Sequence, residues 1–244
     1  MIGPKKLFQE LKNKEIKKSD EQLLLFKIVN EYEENRNLLY SLLTGEKNED
    51  NIELGMEVQP HTNRKEEGNT YLDLALGNIR QRTNTESGIE LGINKKEDFV
   101  FCEAKWKSDI SYGVSKCTIR NQLQRVIETA LIFPKKEFKG NIYVVLITPE
   151  LYRNNYFAGI NTRLYAYKYD EYRKNIRKTF IEELNLIESL NKIPFTDEKK
   201  CKDIIEKNLD KLILKWVTFE ELIAQIPNDK NRIEINKAYE EYNS

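Results

Sequence analysis

Between residues 20 and 43 the apolar positions Leu24, Leu25, Ile28, Val29, Tyr32, Leu39 and Leu43 recur at three- and four-residue steps. That spacing predicts one amphipathic helix of about 20 residues, capped by Ser19 or Asp20 and ended by Gly45. The segment before it, 1–20, is polar and lysine-rich and reads as a loosely held lead-in. Past the polar stretch 46–51 the hydrophobic period shortens. Residues 54–59, 71–76, 89–93 and 98–106 predict four strands, and loops rich in Asn, Gly, Thr and Lys between them suit antiparallel connections. A helix is expected over 114–133, stopped by Pro134. Residues 142–147 then form a continuous apolar run whose length suits a strand buried on both faces.

Past Pro149 the pattern changes. Residues 150–168 are aromatic and basic, and the stretch 169–190 carries Tyr172, Ile176, Phe180, Leu184 and Ile187 at helical steps. A further helix over 197–209 leads to a strand-like run, 212–217. Thr218-Phe219-Glu220-Glu221 has the spacing of a capping box and starts a short helix, and the charged tail 228–244 predicts a terminal one. No repeat, low-complexity tract or linker interrupts this order. One domain over 1–244 is expected, with a core at 20–150 and a C-terminal elaboration at 151–244. Helix, strand meander, helix and buried strand together describe an α/β (α+β) fold with a mixed central sheet flanked by helices.

Composition narrows the function classes. The 40 basic and 40 acidic residues cancel, so any nucleic-acid partner has to be met by local rather than net charge. No run approaches the roughly 18 apolar residues of a membrane span, and Met1-Ile2-Gly3-Pro4-Lys5-Lys6 lacks a secretion signal, so a cytoplasmic protein without membrane contact is expected. Cys102, Cys117 and Cys201 lack zinc or redox spacing, and the single His61, read as a loop residue, excludes a multi-histidine metal site. There is no nucleophile elbow, phosphate loop or dinucleotide fingerprint. An enzyme with this composition has to work with carboxylates and lysine.

The strongest chemical signal is Phe99-Val100-Phe101-Cys102-Glu103-Ala104-Lys105-Trp106. Strand alternation puts Glu103 and Lys105 on one face, two residues apart. Glu-x-Lys is common in a chain that is 33% charged and is ordinarily a solvated face, but here its neighbours mark a buried strand, where charges need a reason. Upstream, Asp73 interrupts the apolar Leu72-Asp73-Leu74, and a lone acid there is costly unless paired or coordinating a cation. Asp73 and Glu103 on neighbouring strands would make an oxygen-lined site suited to Mg²⁺. Glu57, at the end of the first strand, is a candidate further ligand.

An acid on one strand, Glu-x-Lys on the next, then a helix and a buried strand resembles the PD-(D/E)XK, or restriction-endonuclease-like, nuclease superfamily with its αβββαβ core. The matching pieces are Asp73, Glu103-Ala104-Lys105, the helix over 114–133 and the strand over 141–148. Asn121-Gln122-Leu123 resembles the Gln-Leu motif that some branches carry on that helix. The likeness covers residues 20–150. Leu72 replaces the proline of the motif, and 29 residues separate Asp73 from Glu103. Glu90, on the intervening strand, is the alternative first acid; Asp73 is preferred because its strand is more apolar. The resemblance implies a Mg²⁺-dependent nuclease (Mn²⁺ substituting), acting on DNA within restriction or other anti-phage defence, as an endonuclease. Asp73, Glu103 and the Ala104 carbonyl would hold the metal. Lys105 would orient a water and stabilise transition-state charge. Gln122 would bind the phosphate, a metal water or Lys105. Some branches add an acid from the first helix, for which Glu31, Glu33 and Glu34 are the candidates. A lone site cuts one strand at a time, so double-strand cleavage would imply a homodimer. The alternative is a catalytically silent relative that binds nucleic acid or a partner protein.

A second stretch, 152–178, interleaves seven aromatic residues with seven cations. Rings for bases and cations for phosphates suit nucleic acid; core-packed tyrosines under ordinary surface cations are the bland alternative. Arg173, Lys174, Arg177 and Lys178 stand at four-residue steps and are expected to form an outward basic strip beside the acids.

Overall fold

The computed structural model describes residues 1–17, 20–48, 52–62, 70–93, 97–114, 117–160 and 163–243; Ser19, one of the two expected caps, lies outside the described residues. The N-terminal third holds α1 (Lys5–Lys12), α2 (Glu21–Asn30), α3 (Arg36–Thr44), β1 (Glu53–Pro60), β2 (Leu72–Gly77), β3 (Ile79–Gln81) and β4 (Gly88–Leu91). Then come β5 (Phe99–Ala104), the hairpin β6 (Tyr112–Val114) and β7 (Cys117–Asn121), α4 (Gln122–Ile132) and β8 (Ile142–Thr148). The remainder is α5 (Glu150–Phe157), α6 (Leu164–Ser189), α7 (Glu198–Asn208), a 3-10 turn at Leu209–Lys211, β9 (Leu212–Thr218), α8 (Phe219–Ala224) and α9 (Asp229–Asn243).

Among the described residues, seven strands form one open mixed sheet in the order β3-β4-β1-β2-β5-β8-β9. β2 pairs antiparallel with β1 and β5, while β8 runs parallel to both β5 and β9. β5 and β8 are buried along their whole length, which explains their unbroken apolar runs. Alternation divides them between two layers. Phe99, Phe101, Val144 and Leu146 face Val126, Tyr172, Phe180 and Ile205 of α4, α6 and α7. Val100, Cys102, Val145 and Ile147 face Leu24, Ile28, Leu39, Leu222 and Tyr239 of α2, α3, α8 and α9. Burying each such aliphatic side chain contributes roughly 1.5–3 kcal/mol, so both layers hold the sheet.

Four local expectations change. The lead-in is structured: Ile2 bridges to Gly55, α1 follows, and Phe8 stacks on Phe26 at 5.6 Å. The expected 20–43 helix is two, because the polar run after Asn30 turns and Asn35 caps α3 through Leu38 N–H. Continuous periodicity hid the break, since both helices face one core. The expected 114–133 helix begins only at Gln122, where the Asn121 side chain caps it; the preceding Thr-Ile-Arg belongs to β7. Finally, residues after 151 are not only appended, since β9 is the sheet's last strand. The capping box at Thr218 and Glu221 is present in full. No helix among the described residues is long and apolar enough to cross a membrane.

Candidate active site

The register of β1 on β2 sets Met56 against Leu74 and Val58 against Leu72, so Glu57 stands opposite Asp73. On the other side Leu74 faces Cys102, and one residue further along Asp73 stands beside Glu103. Three carboxylates from β1, β2 and β5 therefore lie abreast at one end of the sheet. The strands also turn over there. Val58 and Leu72 belong to one layer, whereas Met56 and Leu74, two residues away, belong to the other. Strict alternation would keep them on one face. The break falls on Glu57, whose φ of +51° is in the left-handed region, a strained state for a residue with a Cβ.

Glu103 is 1% exposed, and its Oε1 lies 2.7 Å from Lys105 Nζ. Asp73 retains some exposed surface, and its Oδ2 accepts a hydrogen bond from Ala104 N–H at 2.7 Å. Burial, then the Glu103 charge, raises the Asp73 pKa well above its ordinary value against the pull of Lys105 and the Ala104 N–H. Burial also raises that of Glu103, opposed chiefly by Lys105. Burial opposes charge on Lys105, but Glu103, Asp73 and Glu21 together raise its pKa, so it stays an ammonium. Glu57 is likewise raised by burial, with Gln22 hydrogen-bonded to it.

The first turn of α2 closes the site. Asp20 caps it by accepting from Leu23 N–H at 3.0 Å. Glu21 then accepts from Trp106 N–H and from Ser108 Oγ at 2.9 Å, and its Oε1 lies 3.5 Å from Lys105 Nζ. Glu21 and Gln22 are the residues that sequence reasoning missed. An acid just after a cap reads as a complement to the helix dipole, and only the tertiary fold shows where that helix start is aimed. The three acids expected from the first helix lie elsewhere or make other bonds: Glu33 pairs with the Met1 ammonium at 2.8 Å and Glu31 accepts from Asn231 at 2.9 Å. Glu34 lies on the same turn away from the α2 start. Glu90 pairs with Arg80 at 3.0 Å on the β3–β4 hairpin, which leaves Asp73 as the acid beside Glu103.

Just past Lys105, the chain is held by α9. Trp106 stacks on Tyr239 at 5.9 Å and donates from Nε1 to Asn243 Oδ1 at 2.8 Å, and Lys107 bonds the Tyr242 carbonyl. Asp109 accepts from Leu164 and Tyr165 N–H, tying the same loop to the start of α6. On the opposite layer, Gln122 opens α4 half-buried, with no hydrogen-bond partner for its amide among the described residues. Arg125, one turn on, donates to Thr70 Oγ1 at 3.1 Å, and its charge reaches Glu103; it too was not singled out in the sequence.

The basic strip sits apart from the acids. α6 runs back along β9: Tyr165 packs against Trp216 at 6.0 Å, Tyr169 donates to the Leu214 carbonyl at 3.4 Å, and Arg177 pairs with Asp210 at 2.7 Å. Arg177 thus sits beside Asp210, beyond the start of β9, whose Leu212 is already four residues, about 13 Å, from the Trp216 level of the acids. A kink at Asn175 (φ −160°, ψ 81°) separates Arg173 and Lys174 from Arg177 and Lys178, so the four-residue stacking does not hold. All four are exposed, but Arg173 and Lys174 pair with Asp170, at 3.1 and 2.5 Å. Lys174, with Tyr156 and Arg173 behind it, holds the Asp170 carboxyl down at about 2. Tyr156, Tyr165 and Tyr169 gather around Trp216, and Tyr172 is buried, so most of these rings are core.

The donor set at Glu57, Asp73 and Glu103 is all carboxylate oxygen, the chemistry a hard divalent cation takes. Crowded acids held above their ordinary pKa are relieved by added positive charge. As arranged, the Lys105 ammonium supplies it, and among the described residues no three acidic, thiol or imidazole groups stand close enough to enclose an ion. Comparison of the chain with profiles of known protein families, with curated proteins and with solved structures finds no match to any of them.

Proposed function

We propose that this protein is a Mg²⁺-dependent nuclease that hydrolyses phosphodiester bonds, with DNA as the substrate. The observation that carries the reading is Asp73 and Glu103 side by side on antiparallel strands, with the Lys105 ammonium 2.7 Å from Glu103. The order β1, β2, β5, β8, with α3 before it and α4 between its last two strands, supports the restriction-endonuclease-like assignment. Asp73, Glu103 and the Ala104 carbonyl would hold the metal, with Glu57 as the further ligand. A bound Mg²⁺ would polarise a phosphate oxygen and acidify a water. Lys105, beside Glu103, would orient that water and stabilise the charge gathering on the phosphate oxygens. Gln122 offers its amide to the phosphate from α4. Glu21 holds Lys105 and the Trp106 backbone in place.

The test is cleavage of end-labelled DNA and RNA with Mg²⁺, with Mn²⁺ and with EDTA, for the wild type and Glu103→Gln. Metal-dependent scission lost in Glu103→Gln is expected. One observation favours a second reading, a silent relative that only binds: the ammonium of Lys105 already neutralises the acids. Tight DNA binding with no scission under any divalent cation would select it.

A further inference from the structure

We propose that His61, Arg82 and Lys135 form a phosphate-binding site at the β1–β4–β3 edge of the sheet, and that it takes a backbone phosphate of the nucleic acid. The inference rests on the nuclease reading only for the source of that phosphate. Strand register builds the site. Pro60 pairs with Ile89 and Ile89 with Gln81, while Arg80 pairs with Glu90. Ile79 and Ile89 belong to the core, so Arg80, Arg82, Glu90 and, beside Glu90, His61 fall on the alternate face. His61 N–H donates to the Ile89 carbonyl at 2.8 Å, and Arg82 N–H to that of Gly88 at 2.8 Å. Lys135, in the turn that follows α4, reaches the same place, with its Nζ 2.7 Å from His61 Nδ1.

An ammonium can only donate, so Nδ1 accepts and the imidazole is neutral, with its hydrogen on Nε2. Two bases thus touch with no carboxylate between them. Glu90, the acid of this face, is taken by Arg80 at 3.0 Å, and among the described residues neither Arg82 nor Lys135 has an acidic ion-pair partner. Burial, then the Lys135 and Arg82 charges, lowers the His61 pKa against the pull of Glu90. Burial also lowers that of Lys135, opposed by Glu90 and helped by Arg82. The spot is short of negative charge. A phosphate oxyanion supplies it: His61 then holds a second proton, and imidazolium, ammonium and guanidinium all donate to the anion. His61 stands four residues past Glu57, within about 13 Å of the acid row. That distance spans about four phosphates along one strand of a duplex.

His61 is the single histidine of the chain, so its ring protons can be followed alone. The experiment tracks them by proton NMR through a pH titration of the full chain without divalent cation. Three media are compared: chloride, inorganic phosphate and a short DNA duplex. In the wild type, phosphate and duplex are each expected to make the ring hold its proton about ten-fold more tightly than chloride does. R82Q and K135Q are expected to lose most of that gain, and for each the slope of log duplex affinity against log salt should shrink by about 0.9. A wild-type ring that titrates identically in all three media overturns the site, with no variant needed. A response to inorganic phosphate but not to duplex overturns the nucleic-acid source. A duplex response undiminished in both variants overturns the roles of Arg82 and Lys135. Scission in Mg²⁺ is scored separately. A wild type that cuts DNA while the ring stays silent keeps the nuclease reading and rejects this site; a responsive ring on a chain that never cuts does the reverse.

Discussion

Asp73 carries the clearest consequence for single residues. Its folded-state pKa is raised, so the folded chain takes up a proton more readily than the unfolded one. Below the ordinary carboxylate range both states are protonated and the penalty vanishes; it is imposed as pH rises through the raised folded value. Asp73→Asn removes the ionisation while keeping an acceptor for Ala104 N–H. It should raise stability by about 1–2 kcal/mol at pH 8 and by little near pH 4, as urea melts at the two pH values would show. The same change should abolish cleavage, so stability and activity move in opposite directions. Lys105→Ala leaves Glu103 buried without its partner. It should cost roughly 1–3 kcal/mol at neutral pH, and Glu103→Gln in the same chain should restore most of that. If the two losses add instead, the pair is not the unit the 2.7 Å contact indicates.

Helix α2 and helix α8 are both held by a side-chain cap, Asp20 and Thr218, and offer a controlled comparison. Replacing either by Ala should cost about 1 kcal/mol. Only Asp20→Ala should also lower turnover, because the turn it fixes carries Glu21 and Gln22 to Lys105 and Glu57. Equal activity in the two variants would show that α2 is positioned by its apolar face alone. This contrast also marks what the sequence could show. Strands β1, β2, β4, β5, β8 and β9 were legible from short apolar runs, and Asp73, Glu103 and Lys105 from charges standing where charge is costly. The α2–α3 break was not, because one helical period runs through it. The β6–β7 hairpin was hidden because β7 continues directly into a capped helix. Glu21 and Arg125 were invisible for a different reason: their local contexts, a helix first turn and a helix surface, give charged residues an ordinary explanation. Their role is created by packing of segments distant in the chain.

Across the whole molecule, the acid row and the basic residues of α6 occupy different levels of one sheet. The separation of about 13 Å along β9 corresponds to about four base pairs of duplex. Replacing Arg173, Lys174, Arg177 and Lys178 by Gln should therefore leave binding of a very short duplex unchanged. It should weaken a duplex of about 20 base pairs and flatten its salt dependence, with anisotropy on both lengths as the check. Loss on neither would mean that Asp170 and Asp210 already satisfy these cations and that α6 is a solvated surface.

The two tryptophans sit on opposite sides of that sheet. Trp106 lies against Tyr239 in the layer of α9, and Trp216 lies among Tyr156, Tyr165 and Tyr169 in the layer of α6. Each is thus a built-in fluorophore for one half of the interior. β5 and β8 send alternate side chains into both halves, so neither layer can loosen without disturbing strands that the other shares. Trp106→Phe and Trp216→Phe variants, each left with one emitter, should report coincident denaturant transitions once their stabilities are matched. Two separate midpoints would mean that the layers melt independently. The acids and Arg125 would then be parted before the chain as a whole unfolds.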